Sequence, residues 1–286
     1  MRALAEYAMR GRTQAVTVAT LSAAVPLFFW LSAGIVALTV LRKGVTEGSN
    51  LFLWASFPTI VWVVLQKDPT PLIVIAGSGL LAIVLRTTVS WAYTLLAGVL
   101  LGIGLSALMP ILLPEVVAET IKISKQVLAE LAAEISAETG RHLDDWLYRL
   151  FAGILGSVHL FAMTGCLILA RWWQASLYNP GGFRTEFHQL VLPKVIALPM
   201  ILIMVFGGGI HPIVLGWIPV MSVPFIIAGI ALVHGVLGIR KLPAQWLLAF
   251  YILVFFMGPY LYPLLIVMAF LDSMLDFRQR IRPSAE

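Results

Sequence analysis

The chain has 286 residues, 60% of them hydrophobic and only 12% charged, and its mean hydropathy is +0.95. Soluble domains are closer to half apolar and a quarter charged, so this composition excludes an ordinary water-soluble protein. The net charge of +5 comes from basic residues placed singly or in pairs at the ends of apolar runs, which indicates membrane topology and not a nucleic-acid-binding face. We predict a single integral membrane domain over residues 1–286, with the lipid bilayer as its surroundings.

Uncharged apolar runs follow one another along the chain: 15–41, 51–66, 71–85, 87–114, 151–170, 195–239 and 242–271. Backbone polar groups must be satisfied inside lipid, so each crossing should be a helix of about 20 residues. Runs 51–66 and 71–85 are short and should extend into their flanks, whereas run 195–239 holds two crossings separated at 206–212. The sequence therefore predicts an all-α polytopic helical membrane protein with about eight, and up to ten, hydrophobic segments, some short or re-entrant.

The first and last runs each carry a helix breaker. Pro26 interrupts the first run, and the sequence GPYLYP (Gly258–Pro263) interrupts the last. Each run could form one kinked helix or a hairpin whose two ends face the same side. Single crossings would place 11 basic residues inside and 8 outside, whereas hairpins would place 14 inside and 5 outside. The positive-inside rule favours hairpins with both termini in the cytoplasm, the first of them short enough to be re-entrant.

The net-acidic loop 115–150 then lies on the outer face. Within it, Glu115–Gly140 has apolar residues at the three-to-four residue spacing of an amphipathic helix, namely Val117, Ile121, Leu128, Leu131 and Ile135. Gly140 suits a helix stop, and Asp144 could cap a second helix leading into the next crossing. The acidic helix could pack as a lid on its own bundle or bind a partner.

Small residues recur every four positions at Gly98, Gly102 and Ser106, and again at Gly153 and Ser157. In lipid, small residues at this spacing let two helices approach closely. We therefore expect tight helix packing at these positions.

The inner loop 171–194 contains the stretch LYNPGGFRTEFHQL. Its Asn-Pro-Gly-Gly sequence is turn chemistry, because proline fixes one φ angle and glycine permits a positive one. Thr185 could then cap a short surface helix. We predict a cytoplasmic interfacial loop; alternatively, its polar side chains line a cytoplasmic mouth or contact a partner, and these are Asn179, Arg184, Glu186 and His188.

Ionisable residues inside apolar runs are costly and often functional. His159 and His234 are predicted to be neutral and to hydrogen-bond across helices, with a ligand or proton role as the alternative. Asp272 lies near Arg278, where an interfacial charge pair is expected, and Asp276 and Arg280 are spaced as a helix pair. The candidate ligand or partner residues are Asn179, Arg184, Glu186, His188, His234 and Asp272.

Enzyme signatures are missing from the sequence. It has no Walker A sequence, no H-E-x-x-H and no G-x-S-x-G. Its one cysteine, Cys166, lies in an apolar run and has no metal-type spacing. We therefore expect no enzyme, no catalytic residues, no cofactor and no metal site.

Three landmarks together resemble the bacterial YybS-like family, also known as domain-of-unknown-function family 2232. They are the proline-broken first run ending in LRKGVTEG, the segment RWWQASLYNPGGFRTEFHQL, and the ending LVHGVLGIRKLPAQWLLAFYILVFF…LDSMLDFRQR. The resemblance implies a multi-pass protein of the bacterial inner membrane. Its layout is similar to the small-molecule-binding S components of energy-coupling-factor transporters, although fold likeness does not establish function.

Two functional hypotheses follow. In the first, the protein binds or passes a small solute, and any ATP-driven role needs a separate ATPase docked on the cytoplasmic side. In the second, it is a non-transport scaffold that recruits envelope or division partners through the Glu115–Gly140 helix.

Overall fold

A computed structural model describes the backbone of residues 1–25, 27–131 and 137–281, and the side chains of these residues except 127–142. The described residues form thirteen α-helices and one 3₁₀ helix, with no strand. The α-helices are α1 (Arg2–Met9), α2 (Arg12–Ala24), α3 (Phe29–Lys43), α4 (Val45–Gln66), α5 (Thr70–Thr88), α6 (Trp91–Leu112), α7 (Pro114–Leu131), α8 (Ala137–Tyr178), α9 (Gly182–His188), α10 (Lys194–Ile210), α11 (Ile218–Ile239), α12 (Gln245–Leu275) and α13 (Phe277–Ile281), and the 3₁₀ helix is Pro212–Gly216.

By length and composition alone, six of the described helices could cross a membrane: α4, α5, α6, α8 from Leu143 onward, α11 and, before its kink is considered, α12. Helix α10 is a shorter apolar helix. The all-α polytopic membrane fold predicted from the sequence is therefore confirmed. The short runs extend into their flanks as expected, since α4 begins at Val45 and α5 ends at Thr88, and the run 195–239 divides into α10 and α11.

Small residues bring α6 and α8 into backbone contact. A Cβ atom built on Gly156 would lie 2.6 Å from the carbonyl oxygen of Gly102 and 3.0 Å from the amide nitrogen of Ser106. Because those are backbone atoms, they cannot move aside as a flexible side chain would. The repeat of small residues therefore serves close helix packing, as predicted.

Helix α12 consists of two helical arms joined by a kink at Met257, whose backbone angles are not helical (φ −117°, ψ 22°). In the first arm, the hydroxyl of Tyr251 lies 2.8 Å from Nε2 of His234, near the C-terminal end of α11. In the second arm, the hydroxyl of Tyr262 donates to Ser222, near the beginning of α11. Between residues 251 and 262 the chain therefore passes from the C-terminal end of α11 to its beginning.

The second arm then runs back toward the C-terminal end of α11, where Tyr251 of the first arm contacts His234. A Cβ atom built on Gly235 of α11 would lie 3.2 Å from Cδ of Arg278, whose guanidinium binds Asp272 at the end of α12. In a straight helix Tyr251 and Asp272 would be about 31 Å apart along the axis, yet both approach the same level of α11. The last apolar run is therefore the hairpin that the charge count favoured.

The first apolar run is also a hairpin. Helices α2 and α3 are separated only by residues 25–28 and pack against each other, with one face of α2 buried: Ala15, Val18, Ala19 and Ala23. Their 13 and 15 residues span about 20 and 22 Å, less than the roughly 30 Å hydrocarbon core. Each arm is thus shorter than the hydrocarbon core, and the re-entrant placement stays a prediction. Pro26, predicted to break this run, lies outside the described residues.

The two hairpins bring most of the described cations to one end of the bundle, which we call the basic end. It carries Arg2, Arg10, Arg12, Arg42, Lys43, Arg86, Arg171, Arg184, Lys194, Arg240, Lys241, Arg278 and Arg280. The opposite end carries Lys67, Lys122, Lys125 and Arg149. Arg141 and Arg282 lie outside the residues whose side chains are described. The first and last described helices, which begin at Arg2 and end at Ile281, both lie at the basic end.

The predicted helix stop at Gly140 is wrong. Helix α8 begins at Ala137 and continues without interruption to Tyr178, 42 residues later. One glycine costs a helix only about 1 kcal/mol, which continued backbone hydrogen bonding outweighs. Asp144 does not cap a helix, because it lies inside α8 and pairs with Lys125 of α7. Side chains from 127 to 142, including the predicted apolar positions Leu128, Leu131 and Ile135, lie outside the described set.

Candidate functional site

The Asn-Pro-Gly-Gly turn joins α8 to the short helix α9 at the basic end. Gly181 has φ +87°, a left-handed conformation that glycine adopts without strain, and α9 begins directly after it at Gly182. The carbonyl of Asn179 accepts a bond from the amide of Gly182 at 3.0 Å, which closes the turn. Thr185 therefore lies inside α9, so its predicted role as the helix cap is wrong.

A cavity of about 420 Å³ opens between α8, α9, α11 and the first arm of α12. We call it the aromatic cavity. Its lining residues are Phe161, Gly165, Ile168, Phe183, Arg184, Phe187, His188, Ile227, Ile230, His234 and Tyr251. It reaches from the basic end to Ile227, 12 residues and about 18 Å before the end of α11.

Ring-to-ring contacts form one wall of the aromatic cavity. Phe183 and Phe187 stack with centroids 5.6 Å apart, and Phe187 meets His234 edge-on at 5.4 Å. His234 in turn contacts His188 at 6.2 Å and Tyr251 at 5.9 Å. These separations lie in the range that favours offset and edge-to-face packing, so the rings of three helices hold one another in place.

Polar groups converge on the same cavity. Nε2 of His234 and the hydroxyl of Tyr251 are 2.8 Å apart and share a hydrogen bond. Burial lowers the pKa of His188 below its usual value, and the positive charge of Arg184 and the neighbouring His234 and Arg278 lower it further. His188 is therefore uncharged at neutral pH. Arg184 is exposed and makes no ion pair with any described residue.

Glu186 faces a different cavity. Its carboxylate accepts from Nε of Arg171 at 2.9 Å and also from the terminal nitrogen of that guanidinium, while Arg171 donates to Gln174 at 2.7 Å. These groups line a second, smaller cavity of about 280 Å³ beside Arg86 and Trp91. Glu186 therefore fixes α9 to α8 and does not contribute charge to the aromatic cavity.

Asp272 lies beneath the site and not within it. It is 1% exposed, and its partner Arg278 is 4% exposed. Arg278 donates to the carboxylate of Asp272 at 2.8 Å and, at 2.6 Å each, to the carbonyl oxygens of His188 and Leu190. The expected interfacial charge pair is thus a buried clamp on the chain that leaves α9.

The predicted helix pair of Asp276 and Arg280 is wrong. Asp276 ends α12 with φ +49°, and its carboxylate accepts a bond from the amide of Gln279 at the beginning of the next helix. The helical spacing that would bring residues 276 and 280 together is broken there.

The structure brings three of the six predicted residues into one cavity: Arg184, His188 and His234. Asn179 closes the turn, and Glu186 and Asp272 position α9 from either side. Sequence reasoning missed Tyr251 and the two phenylalanines of α9, because aromatic residues are common throughout the apolar runs. His159, expected to bond across helices, does so: its Nε2 lies 3.3 Å from the hydroxyl of Thr70.

No protein-family model, curated protein or solved structure gives a significant match to this chain. The resemblance to the YybS-like family therefore stays a prediction. What supports a function is the geometry of the aromatic cavity and of the charges at the basic end.

Proposed function

We propose that this integral membrane protein binds a small solute in the aromatic cavity. The observation that carries the proposal is the combination of a concave, mostly apolar site with a few convergent polar groups. Small-molecule sites are typically clefts of about 300–1,000 Å³ with this composition, and the aromatic cavity measures about 420 Å³. Its polar groups, Arg184, His188, His234 and Tyr251, come from three separate helices.

The basic end faces the cytoplasm in this proposal, and the membrane is the bacterial inner membrane. The distribution of cations supports this orientation, because lysine and arginine favour the cytoplasmic side of short loops. Among residues whose side chains are described, 13 cations lie at the basic end and 4 at the opposite end. The aromatic cavity then opens toward the cytoplasmic side of the bilayer.

A transport-associated role, like that of the S components, would use a separate ATPase. Its docking surface is the basic end, at Arg171–Lys194 or at α13. The Arg278 clamp supports this location, because it connects the residues after α12 to the carbonyl of His188. A partner that moves α13 would therefore also move a wall of the aromatic cavity.

Cavity-filling substitution tests the proposal. Gly165 lines the cavity and a Cβ atom built on it meets nothing within 4 Å, so Gly165→Phe is designed to place its ring in the cavity. Gly104→Phe is the matched control, since Gly104 is equally open but lies on α6, away from the cavity. Both variants and the unmodified protein are purified in a mild detergent, and bound small molecules are identified by mass spectrometry.

We expect a small molecule to co-purify with the unmodified protein and with Gly104→Phe, and to be lost from Gly165→Phe. The proposal fails if all three carry the same molecules in the same amounts. It also fails if all three are empty and carry a stoichiometric protein partner.

A scaffold function is the second candidate, and the surface of α7 favours it. Val116 and Ile123 are 46% and 52% exposed on a helix that also carries Glu119 and Lys122. A mixed surface of this kind suits a protein partner at the opposite end of the bundle better than acyl chains. Loss of a co-purifying envelope protein in a Val116→Ser, Ile123→Ser double variant, with solute content unchanged, would favour this candidate.

A further inference from the structure

We infer that the aromatic cavity selects flat aromatic anions, in which a ring system carries one carboxylate. This inference rests on the proposed solute-binding function and specifies its substrate class. It follows from the sign of the charge at the cavity mouth, the chemistry of the walls and the order in which the two occur along the cavity.

The charge of the cavity lining is positive. Arg184 is the one permanently charged residue among the lining residues, and none of them is a carboxylic acid. The neighbouring acid Glu186 is held in the second cavity by Arg171, which also donates to Gln174. His188 is uncharged at neutral pH and adds nothing to the sum. An arginine without an ion-pair partner attracts a carboxylate and repels an organic cation.

The walls favour a ring. Phe161, Phe183, Phe187 and Tyr251 present aromatic surface to the cavity, and its inner part is closed by Ile227 and its neighbours. Aromatic side chains prefer to pack against other rings at offset or edge-on geometry, which adds to the free energy of burying the area alone. A flexible alkyl chain would bury similar area but would lose more rotational freedom on binding.

The cavity is charged at its mouth and apolar at its inner end. Arg184 belongs to α9 at the basic end, whereas Phe161 lies 17 residues before the end of α8 and Ile227 lies 12 residues before the end of α11. The cation therefore stands at the mouth beside Phe183 and Phe187 of the same helix, and the inner end of the cavity is apolar. A solute with its carboxylate at one end and its ring at the other matches this order, with the charge left in the wetter region.

The mouth is held in place before any solute arrives. Arg278 donates to the carbonyl of His188, and Arg171 binds Glu186, so the C-terminal half of α9 is fixed to the bundle at two points. Arg184 lies two and four residues before these two anchors on the same helix of seven residues. Fixing a binding group in advance lowers the cost of ordering it on binding.

Four probes test the inference: 2-naphthoate, 2-naphthalenemethanol, 2-naphthylmethylammonium and decanoate. The first three share one ring system and differ in charge, and the fourth keeps the carboxylate but has no ring. Binding of each is measured by calorimetry on the detergent-solubilised protein, on Arg184→Gln and on Gly165→Phe, with Gly104→Phe as the control for the second variant. Gly104→Phe should match the unmodified protein.

We expect 2-naphthoate to bind at least about tenfold more tightly than the alcohol, as a charge-assisted hydrogen bond implies, and the ammonium to bind most weakly. Arg184→Gln should bring the acid and alcohol to parity, and Gly165→Phe should abolish binding of all probes. Equal binding of acid and alcohol by the unmodified protein, or of decanoate and naphthoate, overturns the inference while the cavity remains a solute site.

Binding of naphthoate that survives Gly165→Phe unchanged overturns both the inference and the proposed function, because the site is then elsewhere. Failure of all four probes to bind overturns the aromatic-anion class. In that case the molecules that co-purify with the protein still decide the solute-binding function on their own.

Discussion

Arg278 and Asp272 form a buried ion pair, with Nη2 of the arginine 2.8 Å from Oδ2 of the aspartate. The same guanidinium also donates to the carbonyl oxygens of His188 and Leu190. One side chain from beyond α12 thus satisfies the carbonyl group of the last residue of α9 and that of Leu190, two residues further on. The ion pair connects the last part of the described chain to the wall of the aromatic cavity.

Removing Arg278 should destabilise the protein strongly. In Arg278→Ala, a carboxylate and two carbonyl groups are left buried without their donor, and breaking a buried pair costs about 3–5 kcal/mol. Arg280→Ala is the matched control, because Arg280 lies two residues away and is exposed. Thermal unfolding in detergent should show a large fall in Tm for Arg278→Ala and almost none for Arg280→Ala.

Replacing both partners at once tests whether the loss of stability comes from leaving a buried charge unpaired. Asp272→Asn with Arg278→Met removes both charges, so the double variant should unfold at a higher temperature than Arg278→Ala. Equal Tm values for Arg278→Ala and Arg280→Ala would mean that the clamp contributes nothing to stability.

Acidification should destabilise the protein in part through His188. The pKa of His188 is lowered by burial and by Arg184, His234 and Arg278, so the folded state binds its proton less readily than the unfolded state. The stability contributed by neutral His188 is present above the unfolded pKa of about 6.5 and is lost as the pH falls below it.

The measurement compares the unmodified protein with His188→Gln, which cannot titrate at this position. Lowering the pH from about 7.5 to about 5.5 should reduce the Tm of the unmodified protein more than that of the variant. A variant that loses as much Tm as the unmodified protein on acidification would show that His188 has no part in the effect.

The fold was largely predictable because lipid imposes a simple rule. Every crossing must be a helix of sufficient length, so apolar runs and their breakers determine the helices, and the cations favour the hairpin threading. Gly258–Pro263 could be recognised as a break from composition alone. The helix stop at Gly140 could not be judged in this way, because glycine is compatible with both a stop and a long helix.

The site was less predictable because it depends on which residues the hairpin in α12 brings together. Arg184, His188 and His234 are polar residues in apolar surroundings, which is a signal that sequence carries. Tyr251 becomes part of the site only because the first arm of α12 packs on α11. The spacing of Asp276 and Arg280 suggested a pair, but the left-handed residue at 276 ends the helix between them.

Close packing of α6 on α8 makes Gly156 sensitive to a single added methyl group. Its Cβ would lie 2.6 Å from the carbonyl oxygen of Gly102, a backbone atom that cannot yield without shifting the helix. Gly156→Ala should therefore lower the Tm, with a cost of about 1–3 kcal/mol for overpacking. Gly104→Ala, with nothing within 4 Å of the new methyl group, should keep or raise the Tm. An unchanged Tm for the Gly156→Ala variant would show that the two helices do not approach so closely.

Thiol labelling of intact cells tests the proposed orientation. Cys166 is buried and is first replaced by alanine, and single cysteines are then introduced at exposed positions: Thr185 and Gln279 at the basic end and Lys122 at the opposite end. Because cations are retained on the cytoplasmic side, a membrane-impermeant maleimide should label Lys122→Cys in intact cells and the other two only after permeabilisation.

Labelling of Thr185→Cys from outside intact cells would reverse the orientation, and with it the cytoplasmic access to the aromatic cavity. Labelling of Thr185→Cys and Gln279→Cys from opposite sides would instead contradict the hairpin in α12, since that hairpin places both positions at one end of the bundle.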